Sequence, residues 1–348
     1  MRKEQWENFK KAAKLQSLDR IPVGLIIDSP WMPGYLGISH LDYYLNPEVW
    51  FQGNLKIMEE FPEVIFVPSW WIEYGMAIEP SAMGVKILFS ENNTPSEESL
   101  LQRLEDLDAY KPVDPYADGF MPLVLHLYKM QKQRIFDAGY TIPFVTARGP
   151  LCTASFVRGL TPLMMDFIED EKGAHKLIEM ATDTVISWLK AQAEVIGDSV
   201  EGIFILDDVV GFIGPEMYKE FAHPYLKKIC DAFPENWIKV YHNDTASVNA
   251  ILEGIAKTGF DVLNFSHEID IVEAQERIGH RICLMGNINP LGMGVRGTPE
   301  EVKKAGLELL EKTEGKGVIL SVGGGVSPGM PGENIHAMIQ AVEEFSTR

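Results

Sequence analysis

Residues 238–286 read IKVYHNDTASVNAILEGIAKTGFDVLNFSHEIDIVEAQERIGHRICLMG. Three short apolar runs, 238–242, 261–265 and 281–286, alternate with helical patterns such as 246–258. Each run is apolar almost throughout, which suits a parallel strand buried on both faces. The same cadence extends in both directions. Further runs lie at 21–28, 64–68, 142–147, 202–207 and 317–322, and helical patterns lie at 213–232, 298–312 and 331–346. Eight strand-then-helix units in this length of chain predict an α/β fold, a (β/α)8 TIM barrel with an N-terminal helical extension. A doubly wound sheet is the alternative. It would need another place for the extra strands.

The connection between the second and third strands is the long one. Residues 69–141 hold VKILF, the polar SENNTPSEES and a helical stretch near 119–138. This segment is expected to be an excursion over the barrel mouth, within one domain spanning 1–348.

The chain has 348 residues, 46% of them hydrophobic and 23% charged, enough for a large core. A formal net charge of −19 argues against nucleic-acid binding, because phosphate would be repelled and no Lys/Arg-dense block offsets it. Three well-separated cysteines, Cys152, Cys230 and Cys283, form no CxxC pair and predict a reduced, cytoplasmic protein. The first residues read as a charged amphipathic helix, and no apolar run is long enough to span a membrane.

A barrel of this kind gathers its chemistry at the C-terminal ends of its strands. The side chains expected there are Asp28, Trp70, Trp71, Arg148, Asp207, Asp208, His242, Asp244, His267, Glu268, Asn287 and the glycines from Gly323. His242 and Asp244 at one strand end, with His267 and Glu268 at the next, offer nitrogen and oxygen donors suited to zinc. The structural alternative is a helix cap, with Asp244 or Thr245 closing the N-terminus of 246–258. Asp207 and Asp208 are paired, and side-chain alternation predicts that only one faces the mouth. Arg148 is placed to hold a substrate carboxylate or to neutralise an acidic rim. Trp70 and Trp71 can flank a planar ligand or pack as core. The glycine-rich stretch 322–334 is either a structural turn or an anion-holding helix start.

Several phrases together resemble the uroporphyrinogen decarboxylase superfamily, including its corrinoid-linked methyltransferase branch. They are EVIFVPSW (63–70), EPSAMGVKI (79–87), ARGPLCTASFVRG (147–159), IGPEMYKEFAHPYLKKI (213–229), MGNINP (285–290) and GGGVSPGMPGENIHAM (323–338). The resemblance covers nearly the whole chain and implies a (β/α)8 barrel. The decarboxylases of that superfamily use arginines after the first strand to bind substrate carboxylates, whereas residues 21–55 here contain no Lys or Arg. Glu63 matches the place of a central aspartate in those enzymes. The thiol-directed methyltransferases hold zinc through a His-x-Cys pair and a late cysteine. His242 matches the histidine, while Asp244 and Gly324 stand where the two thiolates would be.

Oxygen donors in place of thiolates leave a metal more Lewis acidic, better suited to a leaving ether oxygen than to a thiolate. The resemblance therefore implies an O-demethylase component, a methyltransferase that passes a methyl group from a small methylated substrate to a cobalamin-type corrinoid on a partner protein. Asp208, His242, Asp244 and Glu268 would be catalytic, with zinc on His242, Asp244 and Glu268. Trp70, Trp71, Arg148, His267 and Asn287 would bind substrate, and a homodimer is the family expectation. The alternatives are a decarboxylase of a small carboxylated substrate and a metal-free binding protein on the same barrel.

Overall fold

The computed structural model describes all residues from Met1 to Arg348. Eight strands form one parallel sheet: β1 (Val23–Ile26), β2 (Val64–Val67), β3 (Phe144–Arg148), β4 (Gly202–Leu206), β5 (Ile238–Asn243), β6 (Val262–Phe265), β7 (Cys283–Ile288) and β8 (Val318–Val322). Their order is β2-β1-β8-β7-β6-β5-β4-β3, the cyclic succession of a TIM barrel. No ladder joins the two end strands. At that seam the Met1 amino group bridges Ser69 Oγ and the Thr141 carbonyl.

Two hydrophobic layers follow from burial on both sheet faces. The larger, 93 residues, lies between the strands and the surrounding helices. The smaller, 18 residues, fills the interior, and every strand contributes to it: Ile26, Ile65, Phe144, Phe204, Val240, Val262, Met285 and Ile319. A shared interior supplied by all eight strands is what a closed cylinder produces and an open sheet does not. The helix α1 (Lys3–Ala13) plugs the N-terminal end, with Trp6 and Phe9 packed on the Phe144 ring at centroid distances of 5.0 and 5.6 Å.

Two of the expected helices depart from ideal form. In 213–232 the backbone opens into a wide turn over Tyr218–Ala222 before a helix over His223–Asp231. Pro224 has no N–H to give the carbonyl four residues earlier, which accounts for the widening. In 246–258 the chain runs as a tight 3-10 turn over Ala246–Ile251 and then a short helix, Leu252–Ala256. The polar stretch 90–99 is not plain loop. Its end, Ser96–Glu98, pairs antiparallel with Lys86–Leu88, and this hairpin carries Thr94, Pro95 and Glu97 to the C-terminal mouth. No single helix is long and apolar enough to cross a membrane.

Candidate active site at the barrel mouth

A cavity of about 300 Å³ opens at the C-terminal ends of the strands. Asp28, Arg148, Asp208, His242 and Asp244 line it from the barrel, and Thr94, Pro95 and Glu97 line it from the hairpin. A larger cleft of about 830 Å³ lies on the outside, between residues 107–113 and the helix over Glu171–Ile196. None of the strand-end residues reaches it. The smaller cavity is the chemical one.

His242 is the next-to-last residue of β5 and lies inside the barrel, and its orientation follows from its neighbour on β6. Asn264 donates its amide hydrogens to the carbonyls of Met285 (2.9 Å) and Val322 (3.2 Å), which leaves its Oδ1 as an acceptor. His242 Nδ1 lies 2.7 Å from that oxygen and must donate to it. The Nε2 lone pair therefore faces the cavity, 3.5 Å from Asp208 Oδ1. A ring nitrogen fixed in this way by its opposite N–H is the arrangement of a metal-binding histidine.

Asp208, His242 and Asp244 each place a donor atom within 4.8 Å of the other two. The Asp244 N–H donates to Asp208 Oδ1 at 3.3 Å. Burial raises the Asp244 carboxyl above its ordinary range, His242 opposes that shift, and Asp208 adds to it. Neither Asp244 nor Thr245 caps the following turn. Asn243 Oδ1 instead accepts from Thr245 N–H at 3.1 Å, which leaves the Asp244 carboxylate free for the cavity. A side-chain carbon added at Gly324 would meet Asp244 Oδ2 at 2.8 Å, so that position adjoins the same group.

The paired aspartates divide as alternation requires. Asp207 turns away and accepts N–H bonds from Leu151 (3.0 Å) and Cys152 (2.8 Å) at the start of the helix over Pro150–Arg158. Burial nevertheless pushes its carboxyl up to about 8. Asp208 faces the cavity.

The other expected site residues are spread more widely. Arg148 is buried and lines the cavity, its guanidinium carbon 5.4 Å from the Trp71 ring centroid. Trp70 packs instead among Trp50, Phe51 and Tyr140 in the outer core. Asn287 donates to the carbonyls of Ser266 (3.0 Å) and Ile269 (2.7 Å), tying β7 to the loop after β6. His267 and Glu268 are exposed on that loop, and Glu268 is outside the convergent donor set. Glu63 is exposed just before β2, so it lies at the N-terminal end of the barrel, away from the mouth.

Three carboxylates around the mouth escaped the sequence reading. Glu73 accepts from Ser29 N–H (2.9 Å) and Ser29 O–H (3.0 Å), linking the loops after β1 and β2. Burial, with nearby Asp28, pushes it to about 8. Glu79 accepts the Arg148 backbone N–H at 2.9 Å and is raised by burial to about 7. Glu97 arrives on the hairpin. The one local signal was the acidic residue within the aromatic run WWIEYG (70–75).

Asp28 yields a pH prediction. Burial lifts its carboxyl from 3.8 to about 6, against the opposing pull of Arg148 and His242. The folded state thus holds the proton more tightly than the unfolded chain. That contribution is complete below about pH 4 and is lost as pH rises through 6. Asp28→Asn is therefore expected to raise stability by ~1–3 kcal/mol at neutral pH and to change little near pH 4. Urea midpoints at the two pH values check this.

A family model described as uroporphyrinogen decarboxylase (URO-D) matches residues 4–345. The chain belongs to that family. It is 24% identical to the uroporphyrinogen decarboxylase of Chlorobaculum parvum over 357 residues, 98% of each chain. With the uroporphyrinogen decarboxylase of Pseudoalteromonas translucida it shares 27% over 282 residues, 77% of this chain and 76% of the relative. Among solved structures, a methyltransferase from Methanosarcina mazei superposes with a TM-score of 0.84 at 24% identity, covering 98% of both chains. A B12-independent methionine synthase from Shewanella sp. W3-18-1 superposes at 0.57 with 11% identity, covering 94% of this chain and 97% of that one. Both superpositions agree with the barrel. As a URO-D family member the chain is cation-poor at the mouth: Arg148 is the single Lys or Arg among the cavity-lining residues.

Proposed function

We propose that this URO-D family member is a methyltransferase, moving a methyl group from a small methylated substrate, an aromatic methyl ether, to the cobalt of a corrinoid protein. The observation that carries the reading is the convergence of Asp208, His242 and Asp244 on one point of the mouth cavity. One imidazole nitrogen, fixed in its free tautomer, and two carboxylates fit a divalent cation that accepts nitrogen and oxygen, zinc above all. A cation there would supply Lewis acidity to the ether oxygen as it takes the electron pair of the breaking methyl–oxygen bond. The chain's own part is to hold the substrate. Arg148, with the Trp71 ring behind its guanidinium, lines one side, and Thr94, Pro95 and Glu97 of the hairpin line another.

Size and charge weigh against a porphyrinogen. A cavity of about 300 Å³ is at the small end of ligand pockets. One guanidinium also leaves most of an octacarboxylate unpaired. The curated relatives are named uroporphyrinogen decarboxylases, which favours a second reading, decarboxylation, here of a carboxylated substrate small enough for this cavity. One experiment separates the two. The purified chain is assayed for zinc, then incubated with reduced corrinoid protein and a panel of aromatic methyl ethers and carboxylic acids. The methyltransferase reading expects about one equivalent of zinc, release of the phenol and the absorbance change of corrinoid methylation. Carbon dioxide release, with no methyl transferred from any donor, would reject it in favour of decarboxylation.

A further inference from the structure

Arg148 is a buried guanidinium without an ionic partner. It is 5% exposed, and no carboxylate oxygen forms an ion pair with it within 4.0 Å. Its side chain makes one hydrogen bond, from Nη2 to the Gly75 carbonyl at 3.2 Å, while Nε is buried with no acceptor. A charge removed from water and left this way is unfavourable unless something completes it. The nearby acids act on it electrostatically, but none contacts the guanidinium. Glu79 is engaged with the Arg148 backbone, and Glu73 with Ser29 and Gly75. Asp28 and Glu97 line the same cavity without reaching the guanidinium.

We infer that the methyl donor carries a carboxylate and that Arg148 is its receptor, binding it in the cavity that Asp208, His242 and Asp244 also line. The assignment rests on the mouth cavity being the substrate site. Register sets the separation. Arg148 pairs with Leu206, and Leu206 pairs with His242, so Arg148 and His242 stand on one rung with β4 between them. Two strand spacings put their backbones about 10 Å apart. Both side chains line the same cavity of about 300 Å³, which limits the donor to a small one, such as a single benzene ring carrying the carboxylate and the methoxy group. Trp71, against which the guanidinium lies, holds it in place.

The test uses binding as well as turnover. Calorimetric titration of the protein as purified compares 4-hydroxybenzoate with phenol, and 4-methoxybenzoate with methoxybenzene. The acids are expected to bind about 10- to 100-fold more tightly, the range of a charge-assisted hydrogen-bonded pair. Arg148→Met should abolish that difference, and Arg148→Lys should restore part of it. The wild-type comparison stands even if a variant does not fold. An Arg148-dependent preference with no methyl transfer supports the receptor and overturns the methyltransferase reading. Demethylation of methoxybenzene as efficient as that of the acid overturns the receptor and leaves the methyltransferase reading standing. Equal affinity for acid and neutral probes, an acid preference that survives Arg148→Met, or no binding of any probe also overturns it.

Discussion

His242→Ala is expected to lower methyl transfer by at least about 100-fold and to leave the purified protein with little bound zinc. The imidazole is the sole nitrogen donor in the convergent set. Its Nδ1–H is committed to Asn264, whose own amide hydrogens are committed to Met285 and Val322, so Asn264 is not free to take the place of Nε2. Asp208 and Asp244, left together, are two like charges with less reason to stay close. Metal content by elemental analysis and single-turnover transfer to reduced corrinoid measure the two effects. A thermal melt on the same sample separates loss of the site from loss of the fold. A variant that keeps both zinc and turnover would remove His242 from the chemistry.

The second large effect is expected at the other end of the barrel. Phe9 is completely buried in α1, its ring 5.6 Å from Phe144 and 5.9 Å from Trp6. Truncation to alanine leaves a void under a layer to which all eight strands contribute, and deletions of this kind cost about 3–5 kcal/mol. Phe9→Ala should therefore shift the urea midpoint strongly downward. The same interior layer runs from α1 up to Leu206, which lies beside His242 on β4 and lines the mouth cavity. A variant with normal stability would show that α1 is an appendage and not the barrel floor.

Legibility differed between the strands and the site. The eight strands were readable because burial on both faces leaves an almost unbroken apolar run, a signal held within five or six consecutive residues. Strand ends also placed His242, Asp208, Asp244, Arg148 and Asp28 on the C-terminal rim, since direction follows from chain order in a parallel barrel. The excursion at 69–141 was harder. Its hairpin strands are only three residues each, KIL and SEE, too short for an alternation that would mark the pairing of Lys86–Leu88 with Ser96–Glu98. Glu97 therefore could not be connected with the cavity. Nor could Glu73 and Glu79, whose partners Ser29 and Arg148 lie 44 and 69 residues away.

Trp70 and Trp71 show the limit most directly. They are adjacent, chemically identical and just past the end of one strand, yet one packs among Trp50, Phe51 and Tyr140 while the other lies against Arg148. Glu268 and Asp208 form a similar contrast: both are acids at strand ends, and Asp208 alone joins His242 and Asp244. The amino-acid order by itself determined the barrel, its polarity and the rim that carries the polar side chains, because apolar periodicity and chain direction are local properties. Which rim side chains converge was decided by tertiary structure alone, because side-chain direction at a strand end depends on bonds to distant segments, as Asn264 directs His242 and the helix start at Leu151 and Cys152 draws Asp207 away.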